Sequence, residues 1–106
     1  MPNFNDMLSK AKEMQEKMKE AQEMIKKIEV EGKSGGDLVS VVLTGNYEIK
    51  SITISDKAKK EEQEIIIDLI KAAYNNAKEN LKRKSTEELS KITGGMNLPF
   101  DFKLPF

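Results

Sequence analysis

The sequence predicts an α+β fold, a long helix, three antiparallel strands and a second long helix, and three observations carry that reading. Near the start, apolar residues recur at alternating steps of four and three. In the middle they alternate every second residue between turn-forming glycines, and after Asp56 they return to helical spacing. At 106 residues the chain reads as one domain, small enough that burial through self-association would add to its stability.

The first element is expected over residues 1–28. Met7, Ala11, Met14, Met18, Ala21, Ile25 and Ile28 form a heptad seam without a miss, broadened by Leu8 and Met24. Asn3 or Asn5 can cap its start, with Asp6 near the positive end of the helix dipole. About 24 helical residues span roughly 36 Å, more than a small core can cover, so part of this helix must project or pair.

A three-stranded sheet is expected over 28–55. Ile28 and Val30 alternate with Glu29 and Glu31, and the turn-rich GKSGGD leads into LVSVVLT. Gly45-Asn46 reads as a tight connection into YEIKSITIS. There, apolar residues move from odd positions (Tyr47, Ile49) to even ones (Ile52, Ile54), so a β-bulge is expected at Lys50-Ser51.

The second long helix is expected over 61–93, with Ile66, Ile70, Ala73, Ala77 and Leu81 as one stripe continued by Leu89 and Ile92. Ile65, Ile67 and Leu69 fall outside that stripe. A helix apolar over most of its circumference is buried on more than one side. One side can cover the sheet; a homodimer is the economical cover for the other. The expected interface is Met14, Met18, Ile65, Ile66, Leu69, Ile70 and Ala73. Ser85-Thr86-Glu87-Glu88 has the form of a capping box, where the helix would kink or restart, and Gly94-Gly95 would end it. In 94–106, Met96, Leu98, Phe100, Phe102, Leu104 and Phe106 share strand-like spacing, with Pro99 and Pro105 between them. This segment is expected either to clamp a dimer or cap a groove, or to stay unstructured.

Little catalytic chemistry is available. There is no cysteine and no histidine, so thiolate and imidazole metal sites are excluded, and no cofactor or metal is expected. Gly32-Lys33-Ser34 resembles the end of a phosphate-binding loop, but Lys27 stands where that motif needs its first glycine and strand-forming Leu38-Val39 follows. A hairpin turn is the better reading. Carboxylates alternate with lysines at helical spacing, as in Glu13 with Lys17 or Glu23 with Lys27, which makes ordinary surface pairs. Neither an enzyme nor a small-molecule substrate is expected. No apolar run approaches a membrane span, and the N-terminal residues lack a signal-peptide core, so the expected compartment is the cytoplasm.

Charge offers a binding function only through its placement, because 18 basic residues balance 18 acidic ones. Lys78, Lys82, Arg83, Lys84 and Lys91 crowd the outer half of the last helix, opposed there by Glu79, Glu87 and Glu88. On the first helix Lys10, Lys12, Lys17 and Lys19, with Lys26 and Lys27, are balanced by equal acids through residue 29. A solvated face and a phosphate footprint both fit this pattern. The Met-rich stripe likewise fits either a helix–helix seam or an adaptable surface for protein partners. The alternative function is therefore a protein-interaction adaptor that does not bind DNA.

Several segments together, AKEMQEKMKEAQEMIKKIEVEGKSGGDLVSVVLTG, ITISD, DLIKAAYNNAKE and GGMNLPFDFKLPF, resemble the YbaB/EbfC family of small bacterial nucleoid-associated proteins. The resemblance covers nearly the whole chain. It implies an α–β–β–β–α protomer and an intertwined, tweezer-like homodimer whose projecting helices bind duplex DNA. It also implies a place in the nucleoid and a role in its organisation and in gene expression. One departure is local: family tails often read LPPGFKMPF, whereas this chain has Leu98-Pro99-Phe100-Asp101-Phe102.

Overall fold

Asn3 opens the first helix, its side-chain oxygen accepting the Asp6 N–H at 2.8 Å. A computed structural model describes residues 3–92. In chain order these form α1 (Phe4–Lys26), β1 (Glu29–Ser34), β2 (Val39–Thr44), β3 (Ile49–Ile54), α2 (Asp56–Lys59) and α3 (Gln63–Ile92). The expected α–β–β–β–α order is therefore observed, with one short addition. Ser55 caps α2 by accepting the Ala58 N–H at 3.1 Å, and Ala58 is fully buried in the core. The segment 94–106 lies outside the described residues.

The sheet is an antiparallel meander in the order β1-β2-β3. On β2 burial alternates, with Val39, Val41 and Leu43 fully buried and Ser40, Val42 and Thr44 half-buried. Register carries this division across the sheet. Val30 and Gly32 stand beside Leu43 and Val41 on the covered face, while Glu29, Glu31 and Lys33 share the opposite face with Thr44, Val42 and Ser40. The expected bulge is present. Val42 pairs with Ser51 and Leu43 with Ile49, leaving Lys50 as the extra residue.

One turn reading changes, and the other, at Gly45-Asn46, is observed and extended by one residue. Gly32-Lys33-Ser34 belongs to β1, and the turn begins at Gly35, whose φ of +57° is one that L residues rarely adopt. The reason is a backbone contact. A Cβ on Gly32 would lie 2.6 Å from the Ala77 Cα, because α3 rests directly on β1 through the small residues Ala73 and Ala77. In the second hairpin the left-handed residue is Tyr47 (φ +63°), closing a turn in which its N–H donates to the Thr44 carbonyl at 3.0 Å. Gly45 serves packing instead, since a Cβ there would lie 2.6 Å from the Ile25 carbonyl carbon.

Helix α3 covers β1 and β2 on one face of the sheet. Its Ala77 and Leu81 join Ile25, Ile28, Val39, Val41 and Leu43 in the core. It then runs on past the sheet without the expected break. The Thr86 hydroxyl donates to the Lys82 carbonyl at 2.9 Å inside a continuous helix, so Ser85–Glu88 caps nothing. Because α1 enters the sheet at its C-terminus and α3 leaves the sheet at its own, the two lie antiparallel as an arm, with Ala21 and Leu89 buried between them. The molecule measures 69 × 22 × 18 Å.

Candidate nucleic-acid interface

The basic residues singled out by charge all lie on the two arm helices. On α1, Lys12 and Lys19 stand a heptad apart, about 10 Å along the axis and nearly in line, and Lys26 continues the row. Lys10 and Lys17 make a parallel pair closer to the helix–helix seam, where Lys17 is half-buried. The other three first-helix candidates are exposed.

On α3 the structure separates what the sequence runs together. Lys78 and Lys82 lie one turn apart on one flank, whereas Lys84 falls about 160° around the helix from Lys82. Lys84 and Lys91 converge on one acid, reaching Glu88 Oε1 at 3.7 and 3.5 Å. Arg83 and Lys84 border an open cleft of about 370 Å³ whose other wall is β1, with Glu29, Val30 and Glu31, and with Glu87 at its margin. Among the described residues, no ion pair holds Lys10, Lys12, Lys19, Lys78, Lys82 or Arg83. These six are unneutralised cations; Lys84 and Lys91 are partly neutralised.

Lys33, the lysine of the phosphate-loop lookalike, is held in an acidic setting. Its ammonium lies 3.3 Å from Asp37 and 3.4 Å from Glu31, and these partners, Asp37 first, raise its pKa above the ordinary lysine value. Its backbone N–H donates to Asn76 Oδ1 at 3.0 Å, while the Asn80 side-chain amide donates to the Glu31 carbonyl at 2.9 Å. Both bonds cover the outer edge of β1. No cluster of acidic residues able to hold a metal occurs among the described residues.

The expected interface residues divide into three groups. Ala73 is fully buried under Gly32, so it belongs to the protomer's own core and presents no surface to a second chain. Ile66, Leu69 and Ile70 are half-buried at the start of α3, with Ile65 exposed beside them. Met14 and Met18 lie on the arm, in an open apolar groove of about 490 Å³ with Ala11, Gln15, Lys19 and Gln22. Other large apolar residues outside that set are exposed as well, among them Ile49, Ile52 and Ile67. Ile52 shares the covered face with Val41 by register yet is 43% exposed, because α3 packs chiefly on β1 and β2. A signal was available. One helix is about 10 Å across, and three strands at ~4.8 Å spacing are wider than it can cover.

Comparison with known proteins follows the same lines. A sequence model of the YbaB/EbfC DNA-binding family matches residues 1–96. A Rickettsia felis protein named as a nucleoid-associated protein is 47% identical over 107 residues, with the whole of both chains covered. A nucleoid-associated protein of Rickettsia typhi is 46% identical over the same span. Among solved structures, an uncharacterized Helicobacter pylori protein superposes with a TM-score of 0.71. That match covers 89% of this chain and 100% of the other at 20% identity, a likeness of fold alone.

Proposed function

The chain belongs to the YbaB/EbfC DNA-binding family, which is not a family of enzymes, and from that premise we propose that its arm grips duplex DNA through the phosphates. The observation that carries this reading is the set of exposed cations along α1 and α3 that have no ion pair among the described residues: Lys10, Lys12, Lys19, Lys78, Lys82 and Arg83. Lys17, Lys84 and Lys91 contribute less, the first through burial and the others through Glu88. Lysine predominates in this set, and lysine contacts phosphate as a point charge without reading bases. The protein then binds many sequences with modest affinity and serves the nucleoid by shaping DNA, with effects on gene expression.

A homodimer supports this grip by doubling the arms. Its face is the apolar shelf that one protomer leaves open, Ile65, Ile66, Leu69 and Ile70 on α3 with Ile49 and Ile52 on β3. Exposed apolar residues of this kind suit a place of association.

The test is fluorescence anisotropy of a short labelled duplex, at low salt and again at about 200 mM, alongside solution mass. Affinity should fall steeply with salt. Lys82→Ala/Arg83→Ala/Lys84→Ala should weaken binding on all sequences alike and flatten that salt dependence. Affinity indifferent to salt would sink the phosphate grip.

A further inference from the structure

Charge and apolarity are sorted around α1 in a way that its composition conceals. At about 100° per residue, Phe4, Met7, Leu8, Ala11, Met14 and Met18 fall within one arc of about 120°. All five lysines of the helix border that arc, Lys10 and Lys17 along one side and Lys12, Lys19 and Lys26 along the other. All five acids, Asp6, Glu13, Glu16, Glu20 and Glu23, lie behind it. The helix carries no net charge, yet its apolar face is framed by positive charge alone.

Toward the start of α1 this face is open. Among the described residues, only Ala21 and Ile25 are buried along the helix, while Phe4, Met7, Leu8 and Met14 are exposed, Phe4 at 73% and Met7 at 60%. The face is also grooved. Ala11, Gln15 and Lys19 form one ridge of residues four apart and Met14, Met18 and Gln22 the next, bounding the open groove of about 490 Å³. A groove of this kind is the receiving half of ordinary helix packing, into which a ridge of side chains from another helix fits. From Phe4 to Met18 the face runs for about 21 Å, close to four turns.

Charge and shape decide what fits there. A second α1 packed face to face would set lysine rims against lysine rims, so the face rejects its own copy. An anionic lipid surface meets the charge but not the shape. Interfacial helices hold through the apolar area they insert, whereas this face is grooved along Ala11, Met14 and Met18. Methionine suits a protein partner, because its flexible thioether adapts to irregular packing.

We propose that the outer face of α1 docks an amphipathic helix of another protein, one whose apolar stripe is flanked by glutamates or aspartates. The partner's apolar ridge fills the groove of Ala11, Met14 and Met18. Its carboxylates pair with Lys10 and Lys17 on one side and with Lys12 and Lys19 on the other, Lys19 serving as both lining and rim. This docking goes beyond the DNA-binding reading and does not depend on it. Lys10, Lys12 and Lys19 belong to the proposed phosphate grip as well, so on that reading the partner helix competes with duplex DNA for the arm.

The probe is a labelled synthetic helix of about three heptads, leucine at a and d and glutamate at e and g, titrated into the full chain without DNA. It should bind one per chain, with amide shifts concentrated between Phe4 and Gln22. Met14→Glu places a carboxylate in the groove at an exposed site, and should weaken binding about tenfold or more with the thermal unfolding midpoint unchanged. Lys10→Glu/Lys12→Glu, one exposed position on each rim, should weaken it likewise. A peptide of the same composition, reordered so that its leucines share no face, should bind about tenfold or more weakly than the first. Equal binding would mean that charge alone attracts it and would overturn the proposal, as would shifts centred elsewhere or no binding at all. A peptide copying residues 3–22 of this chain should not bind; if it does, the face is a contact between copies and the proposal fails. Vesicles containing phosphatidylglycerol should not retain the protein, and retention abolished by Met14→Glu would give the face to lipid instead. No DNA enters these measurements, so their failure is distinct from failure of the phosphate grip.

Discussion

At the sheet, α3 lies against β1 with backbone nearly touching backbone, and a single added carbon on Gly32 has nowhere to go. Along the arm the same helix meets α1 through Ala21 and Leu89, and the flanks are exposed among the described residues. The difference lies in how much of each helix is held by packing. At the base, Ala73, Ala77 and Leu81 have no freedom of size, and Asn76 and Asn80 are tied to β1 by hydrogen bonds. On the arm most positions answer only to helix propensity and charge. A fold that holds its base rigidly can let its arm vary; Lys10, Lys12 and Lys19 of the proposed grip lie on the arm, whereas Lys78 sits at the base between Ala77 and Leu81.

The contrast can be broken most severely at Gly32. Gly32→Val drives a branched side chain into the Ala73–Ala77 backbone and should cost more than about 3 kcal/mol, read as a collapse of the thermal unfolding midpoint. Leu81→Ala empties a fully buried position and should cost about 2–5 kcal/mol by urea titration, whereas Leu89→Ala on the arm should cost clearly less. If Leu89→Ala costs the same as Leu81→Ala, packing constrains the arm no less than the base and the contrast fails. Asn80→Ala removes one bond at the β1 edge and should cost about 1 kcal/mol, with faster amide exchange in β1. The mildest change should be Glu88→Gln. It frees Lys84 and Lys91 and should move stability by less than about 0.5 kcal/mol. Duplex affinity should rise and its salt dependence steepen by about one counterion or more.

The order of elements was legible because hydrophobic period is a local property. Steps of three and four, then of two, then of three and four again mark helix, sheet and helix, and even the extra residue Lys50 showed as a change of phase. What covers each element was not legible. The heptad seam of α1 reads as uniform from Met7 to Ile28, yet only its inner end meets α3, since period reports a face and says nothing of its partner. Gly32 stood in a string of loop-forming residues, and its strand placement depends on a helix forty residues later that carries alanines at the matching turn. The cations were legible as residues but not as a surface. Lys82, Arg83 and Lys84 are neighbours in sequence and point three ways around α3, and the convergence of Lys84 and Lys91 on Glu88 appears only once the helix is known to be unbroken there.

The two asparagines at the edge of β1 bear on assembly. A strand edge with free N–H and C=O groups is a template on which further strands can add, and a sheet with two such edges can propagate without limit. Here Asn76 occupies the Lys33 N–H and Asn80 the Glu31 carbonyl, so one edge is spoken for by the protein's own helix. Among the described residues, no side-chain hydrogen bond covers the edge at β3 in this way. A sheet with one addressable edge is a monovalent unit: any two copies joined by it would exhaust each other's valence and close as a pair instead of growing into a fibre.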